Sequence, residues 1–174
     1  MKSSRPRPDE YDVAYERYVS RVPETDILAA LERQPAELAA VLASVPPGRE
    51  EYRYAPGKWT IRGVVGHVLD AERIFGYRAL CVARGDKTPL PGFEENDYAA
   101  NAGSDRRTLA SLAAEFTSLR ASHVLMLRYV DDASWVSVGS ANALPVTPRA
   151  LSYILVGHVR HHVAVLREKY GVGV

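Results

Sequence analysis

The stretch Gly157-His158-Val159-Arg160-His161-His162 holds three of the five histidines of this 174-residue chain. His158 and His162 are four residues apart, so on a helix their Cβ atoms share one face at a separation of roughly 6 Å. Helix signals surround the pair. Thr147 suits an N-cap and Pro148 the first helical position, where a missing N–H costs nothing. Leu151, Ile154, Leu155, His158, His162, Val165 and Leu166 repeat with the three-four spacing of a buried face, Lys169 falls in the last turn, and Gly171 can close the helix. The two histidines therefore interrupt an apolar stripe, and buried imidazoles need partners. Two readings of the pair stand side by side: core histidines satisfied by hydrogen bonds, or two ligands of one divalent ion. The zinc-protease pattern is excluded. It needs Glu directly after the first His of the pair, as general base, and this chain has Val159 there.

A second long helix is predicted from the N-cap Thr60 to about residue 84. It is apolar round most of its circumference (Ile61, Val64, Val65, Val68, Leu69, Ile74, Phe75, Leu80, Val82), which places it centrally in a bundle. Its polar residues then need partners. His67 has the small residues Gly63, Gly66 and Ala71 beside it, which leaves room for a close helix or a ligand. Asp70, one turn on, can accept from an imidazole N–H. Asp70, Glu72, Arg73 and Arg78 are expected to form ion pairs with one another and with loop residues.

Two further long helices are predicted. One spans about 25–45, with Pro35 inside it, so a kink or short break is expected near Arg33-Gln34. The other spans about 106–130, capped by Ser104 or Asp105, and carries His123 on its apolar stripe as a core histidine with a hydrogen-bond partner. A short helix from Asp9 through Val19 carries Tyr11, Tyr15 and Tyr18 along one side as core-edge residues. Residues 1–8 are expected to be disordered or extended, and residues 9–174 to form one domain. The segment 85–105 reads as a long loop, a length often associated with a lid or other function. Residues 131–146 read as an irregular connection with a short hairpin around Gly139-Ser140. The expected fold class is all-α: a four-helix bundle with an additional short N-terminal helix.

The formal net charge is +1, from Lys+Arg 22 against Asp+Glu 21. That balance argues against nucleic acid as a partner, which calls for a basic patch. The longest uncharged stretch, 133–148, contains Ser, Asn, Thr and two prolines, so no membrane span is expected. Cys81 is the single cysteine, and residues 1–8 lack the apolar run of a signal peptide. A cytoplasmic location is the expectation.

Lys58-Trp59-Thr60-Ile61-Arg62, Gly66-His67-Val68-Leu69-Asp70-Ala71-Glu72-Arg73, Tyr77-Arg78-Ala79-Leu80, Thr88-Pro89-Leu90-Pro91-Gly92-Phe93 and the final Gly157-His158-Val159-Arg160-His161-His162 together resemble the DinB/YfiT-like superfamily. The resemblance implies a four-helix bundle that binds one divalent metal ion, often nickel or zinc. Three histidines hold it, one on the second helix and two on the last, and here those positions are His67, His158 and His162. It also implies a homodimer. Members with assigned roles include thiol-dependent transferases and isomerases that use bacillithiol, mycothiol or glutathione. The expected function is accordingly a metal-dependent enzyme acting on a small molecule, as a thiol-dependent S-transferase or isomerase or as a hydrolase. The alternative is a non-catalytic helical module that binds a metal or small ligand. Asp70 and, on the flank of the metal face, His161 are the candidate catalytic residues. Cys81 lies fourteen residues beyond His67, about 21 Å along the helix, too far to serve the same ion.

Overall fold

The computed structural model describes residues 4–173; residues 1–3 of the expected N-terminal segment, and residue 174, lie outside them. The bundle consists of α2 (Ile27–Ala43), α3 (Ile61–Ala83), α5 (Leu109–Arg128) and α7 (Pro148–Tyr170), with the short helices α1 (Glu16–Val19), α4 (Glu95–Asn101) and α6 (Asp132–Trp135) around it. A hairpin of β1 (Gly139–Ala141) and β2 (Leu144–Val146) precedes α7. Its two-residue turn puts Asn142 and Ala143 at φ 55° and 60°, which makes Asn142-Ala143, and not Gly139-Ser140, the corner.

Around the bundle the order of neighbours is α2, α5, α3, α7 and back to α2. The consecutive helices α2 and α3 thus sit across the bundle from each other. Connections of seventeen residues before α3 and twenty-five before α5 permit this; short loops would have forced consecutive helices together. As a result α3 and α7, ninety residues apart in sequence, pack directly on each other.

The long helices end where their local chemistry says they should. Thr60 Oγ1 accepts from Gly63 N at 2.9 Å and Thr147 Oγ1 from Ala150 N at 3.1 Å, while Gly171 closes α7 at φ 67°. The cap of α5 is Thr108, which accepts from Ser111 N at 3.1 Å. The expected cap, Ser104 or Asp105, instead belongs to a separate 3₁₀ turn, Ser104–Arg106. The expected N-terminal helix is broken as well. Two 3₁₀ turns, Pro8–Glu10 and Val13–Tyr15, come before α1. Tertiary contacts interrupt it: Glu10 accepts from the buried Arg149 Nε at 2.8 Å and Thr147 Oγ1 at 3.0 Å, and Tyr11 bridges Val146. Residues 4–7 carry no helix or strand, Arg7 is extended at φ −82° and ψ 158°, and the Arg5 guanidinium donates to the carbonyls of Val19 and Val22.

No break occurs at Pro35; α2 is helical from end to end. Proline removes the donor that would have met the Leu31 carbonyl, and Arg120 Nη1 approaches that oxygen at 3.5 Å. The same guanidinium is the centre of a buried polar knot. Arg120 Nε and Nη2 donate to the two Glu72 carboxylate oxygens, both at 2.7 Å, and Nη1 donates to Gln34 Oε1 at 2.7 Å. Gln34 Nε2 donates on to Val156 O at 2.9 Å, and His123 Nδ1 lies 2.9 Å from Glu72 Oε1. Burial pushes the Glu72 carboxyl up, but the Arg120 charge and its hydrogen bonds hold it below the usual carboxylate range. His123 therefore has the partner its apolar position required. Of the other expected pairings, Arg73 pairs with Glu115 on α5 while its charge acts on Asp70, and Arg78 Nη2 donates to the loop carbonyl of Pro91 at 2.7 Å.

This polar layer divides the interior. One apolar cluster gathers Phe75, Leu127, Trp135, Leu151 and Tyr153; the other gathers Val64, Val68, Leu112, Phe116, Val159 and Leu166. Arg120→Ala leaves Glu72 buried without its counter-charge, and removal of one partner of a buried pair costs about 3–5 kcal/mol. Urea unfolding followed by circular dichroism should show a loss of that size, with an unchanged m-value.

Candidate metal centre

On α7 the passage from one apolar cluster to the other falls at His158; on α3 it comes between Leu69 and Ala71, just after His67. A glycine precedes each histidine. A Cβ on Gly66 would overlap Ser104 Oγ, and a Cβ on Gly157 would overlap the Tyr18 carbonyl oxygen. Only the missing side chains let these two segments approach so closely. They bring the residues after α4 against α3, and α1 against α7, on either side of the histidines.

His67, His158 and His162 converge. Their ligand-capable nitrogens lie within 4.8 Å of one another. His158 Nε2 is 3.1 Å from His67 Nε2 and 3.2 Å from His162 Nε2. Aromatic rings wall the cluster: Trp59 lies over His67 with ring centroids 4.8 Å apart, and Tyr18 and Phe75 set their edges against His158 at 5.2 and 5.6 Å. Among the described residues His67 Nδ1 is buried without a hydrogen-bond partner, so packing against Trp59, and not an acceptor, orients this ring.

Burial disfavours the imidazolium form at all three positions. It lowers His67 to about 4 and His162 to about 2, and His158 falls well below the ordinary histidine value; the neighbouring imidazoles add to each effect. The cluster is therefore neutral at physiological pH. A neutral imidazole nitrogen is either one donor or one acceptor, so His158 Nε2 can satisfy one of its two short contacts and not both. A cation between the three nitrogens removes the conflict. With bonds of about 2.0–2.1 Å, ligand nitrogens stand roughly 3.3 Å apart at tetrahedral angles and roughly 2.9 Å apart at right angles, and the observed 3.1 and 3.2 Å fall between. The residues fit a divalent ion with nitrogen preference.

The family model for the DinB superfamily matches residues 30–166. This chain belongs to the DinB superfamily. Among similar proteins, one from Geobacillus thermodenitrificans (strain NG80-2), named "Putative metal-dependent hydrolase", is 24% identical over 151 residues, covering 83% of this chain and 84% of that protein. A solved structure of YfiT from Bacillus subtilis, described as "a probable metal-dependent hydrolase with an unusual four-helix bundle topology", superposes with a TM-score of 0.71 at 19% identity. It covers 96% of this chain and 93% of that one. The four-helix bundle of this DinB protein is thus similar to that of YfiT. No helix among the described residues is long and apolar enough to cross a membrane.

The other residues singled out from the sequence are not members of this convergent group. Asp70 is raised by burial, and its electrostatic neighbours are Arg73 and Glu115 toward α5; no contact joins it to an imidazole. His161 packs edge-on against His162 at 5.0 Å and Tyr18 at 5.5 Å, on the flank. Cys81 is buried well away. The 85–105 segment, expected to be loop throughout, contains α4. Together with Trp59 it borders a cavity of about 320 Å³ that reaches His162 and is lined in part by Tyr54, Lys58, Glu95, Asn96 and Tyr170. Trp59, Tyr18 and the α4 residues were missed as site residues. For Trp59 the signal was its place one residue before the Thr60 cap; for the others only the close approaches at Gly66 and Gly157 would have pointed to them.

The metal-free protein should lose stability as pH falls. Unfolded histidine takes up its proton near 6.5, and folded His67 does so only near 4, so the unfolded chain holds more protons in that window. The stabilisation is present above about 6.5 and is lost toward 4, at up to about 1.4 kcal/mol per pH unit for each imidazole. Urea unfolding of chelator-treated protein between these limits measures it, and His67→Gln should flatten the slope.

Proposed function

We propose that the protein is a hydrolase of a small molecule that depends on one divalent metal ion, held by His67, His158 and His162. The observation that carries this reading is the convergence of three neutral imidazoles, two buried and His162 half-buried, whose nitrogens hydrogen bonds alone cannot satisfy. Structural metal sites are closed by four protein ligands, whereas catalytic ones keep a position for water or substrate, and three donors with an adjoining cavity match the second kind. Nickel and zinc both suit an imidazole set. When bound, the ion supplies Lewis-acid polarisation and a lowered water pKa. The protein's share is to keep the imidazoles unprotonated, to fix His67 by Trp59, and to exclude bulk water with Tyr18 and Phe75.

Hydrolysis is preferred over transfer of a low-molecular-weight thiol because both similar proteins are named for hydrolysis, and no residue lining the cavity favours a thiol over water. A cytoplasmic homodimer remains part of the proposal. Leu125 and Tyr129, exposed at 58% and 82% on or just beyond α5, offer apolar surface to a second copy.

Elemental analysis of tag-free protein tests the reading. About one ion per chain is expected in the wild type, with loss of that ion in both His67→Ala and His162→Ala. An ion-free wild type whose melting temperature does not respond to added nickel or zinc would return the three histidines to the status of buried core residues.

A further inference from the structure

Hydrolysis at a three-histidine centre requires a group that takes a proton from water and returns it to the departing atom. The helices that carry the histidines present no carboxylate free for this role, and their one further imidazole, His161, packs its ring against His162 and Tyr18 on the flank. Position 159, where a zinc protease has its Glu, is Val159. Asp70 stands with Arg73 and Glu115.

The segment over the site supplies the missing carboxylate. Among the described residues that line the cavity at His162, Glu95 is the one acid. Glu51 and Asp105 belong to a neighbouring cavity beyond Trp59 and Asn96, and Glu51 is paired with Arg62. Glu95 is exposed at the start of α4, and its carboxylate has no hydrogen-bond or ion-pair partner among the described residues. It lies close enough to the histidine wall for its charge to act on Tyr18, whose hydroxyl is raised by burial first and by Glu95 in addition. Tyr18 is the ring packed on both His158 and His161.

The position of α4 is built into the fold. Ser104 fills the space that Gly66 leaves open one residue before His67. Arg62 Nη1 donates to the Asp105 carbonyl at 2.8 Å, and the Glu94 side chain caps Asn96 N at 3.2 Å. The Ser104 and Asp105 contacts tie the chain just after α4 to α3, on which α4 itself also packs.

We infer that Glu95 is the catalytic acid–base residue of this site, contributed by α4 from across the cavity. The inference rests on the metal-hydrolase reading. Water in the cavity gives one proton to a Glu95 carboxylate oxygen as its own oxygen bonds to the electrophilic carbon of the substrate. The bond from that carbon to the leaving heteroatom breaks, and the proton passes from Glu95 to that heteroatom. One water is consumed and Glu95 ends ionised, as it began.

Acetohydroxamate provides a test that needs no substrate, because it gives up its hydroxyl proton on ligating a metal. Calorimetric titration into zinc-loaded protein at about pH 6, below the ionisation of zinc-bound water near 7, is run in buffers of different ionisation enthalpy, which counts the protons released. The wild type should release none to the buffer, since Glu95 takes the proton. Glu95→Gln, at unchanged zinc content, should release about one per bound ligand and bind at least about tenfold more weakly. Equal proton release from both overturns the assignment and leaves the metal reading intact. So does a change that appears in Asp70→Asn in place of Glu95→Gln. Failure of the wild type to take up zinc, or of the zinc form to bind the hydroxamate, overturns both.

Discussion

The bidentate pair between Arg120 and Glu72 joins all four long helices. Arg120 and His123 come from α5, Glu72 from α3, and Gln34 and the Leu31 carbonyl from α2; the Val156 carbonyl on α7 is reached through Gln34, and Leu155 O lies 3.4 Å from Arg120 Nη2. Such a pair gains little over well-packed apolar residues. Its geometry is what it adds. A guanidinium fixes the directions of its five donors, so the rotation of each helix about its axis is set at one level of the bundle. The unbroken passage of α2 through Pro35 belongs to the same constraint, since Arg120 approaches the carbonyl that the proline leaves without a donor.

The histidine cluster, built between α3 and α7, is the complementary case. The Arg120 knot is charged and fully partnered. The imidazoles are neutral and under-partnered, with His67 Nδ1 buried alone and His158 Nε2 facing two other nitrogens. A satisfied polar layer specifies one packing, whereas a layer left short of protons or counter-charge prepares a place for a cation. Carboxylates lie near both, and their surroundings separate their roles: Glu72 is enclosed by Arg120 and His123, and Glu95 is exposed beside a cavity.

Much of this could be read along the chain, and what could not has a common cause. The caps Thr60 and Thr147, the Gly171 stop and the apolar stripes of α3 and α7 are local features, and they hold in the structure. The 85–105 segment carries no helical signal along the sequence, because Pro89, Pro91 and Gly92 break any periodicity at its start. The seven residues of α4 have no buried face to betray them. Tyr18 was read as a core-edge residue because spacing along one helix says nothing about the imidazole it meets on another. Arg120 gives no signal in the sequence, since one charged residue on an amphipathic helix is indistinguishable from a solvated one until its exposure, here 0%, is known.

The sequence by itself determined the helices, their caps, and the four-residue spacing that sets His158 and His162 on one face, because each of these depends on residues within a turn or two of each other. With the family resemblance it also placed His67 in the set. Only the tertiary structure decided that α3 lies beside α7 and across from α2, that Glu72 is matched by Arg120, and that α4 brings Glu95 to the histidines. Those outcomes depend on burying every apolar face at once while long connections leave the order of helices open, and no local pattern encodes that choice.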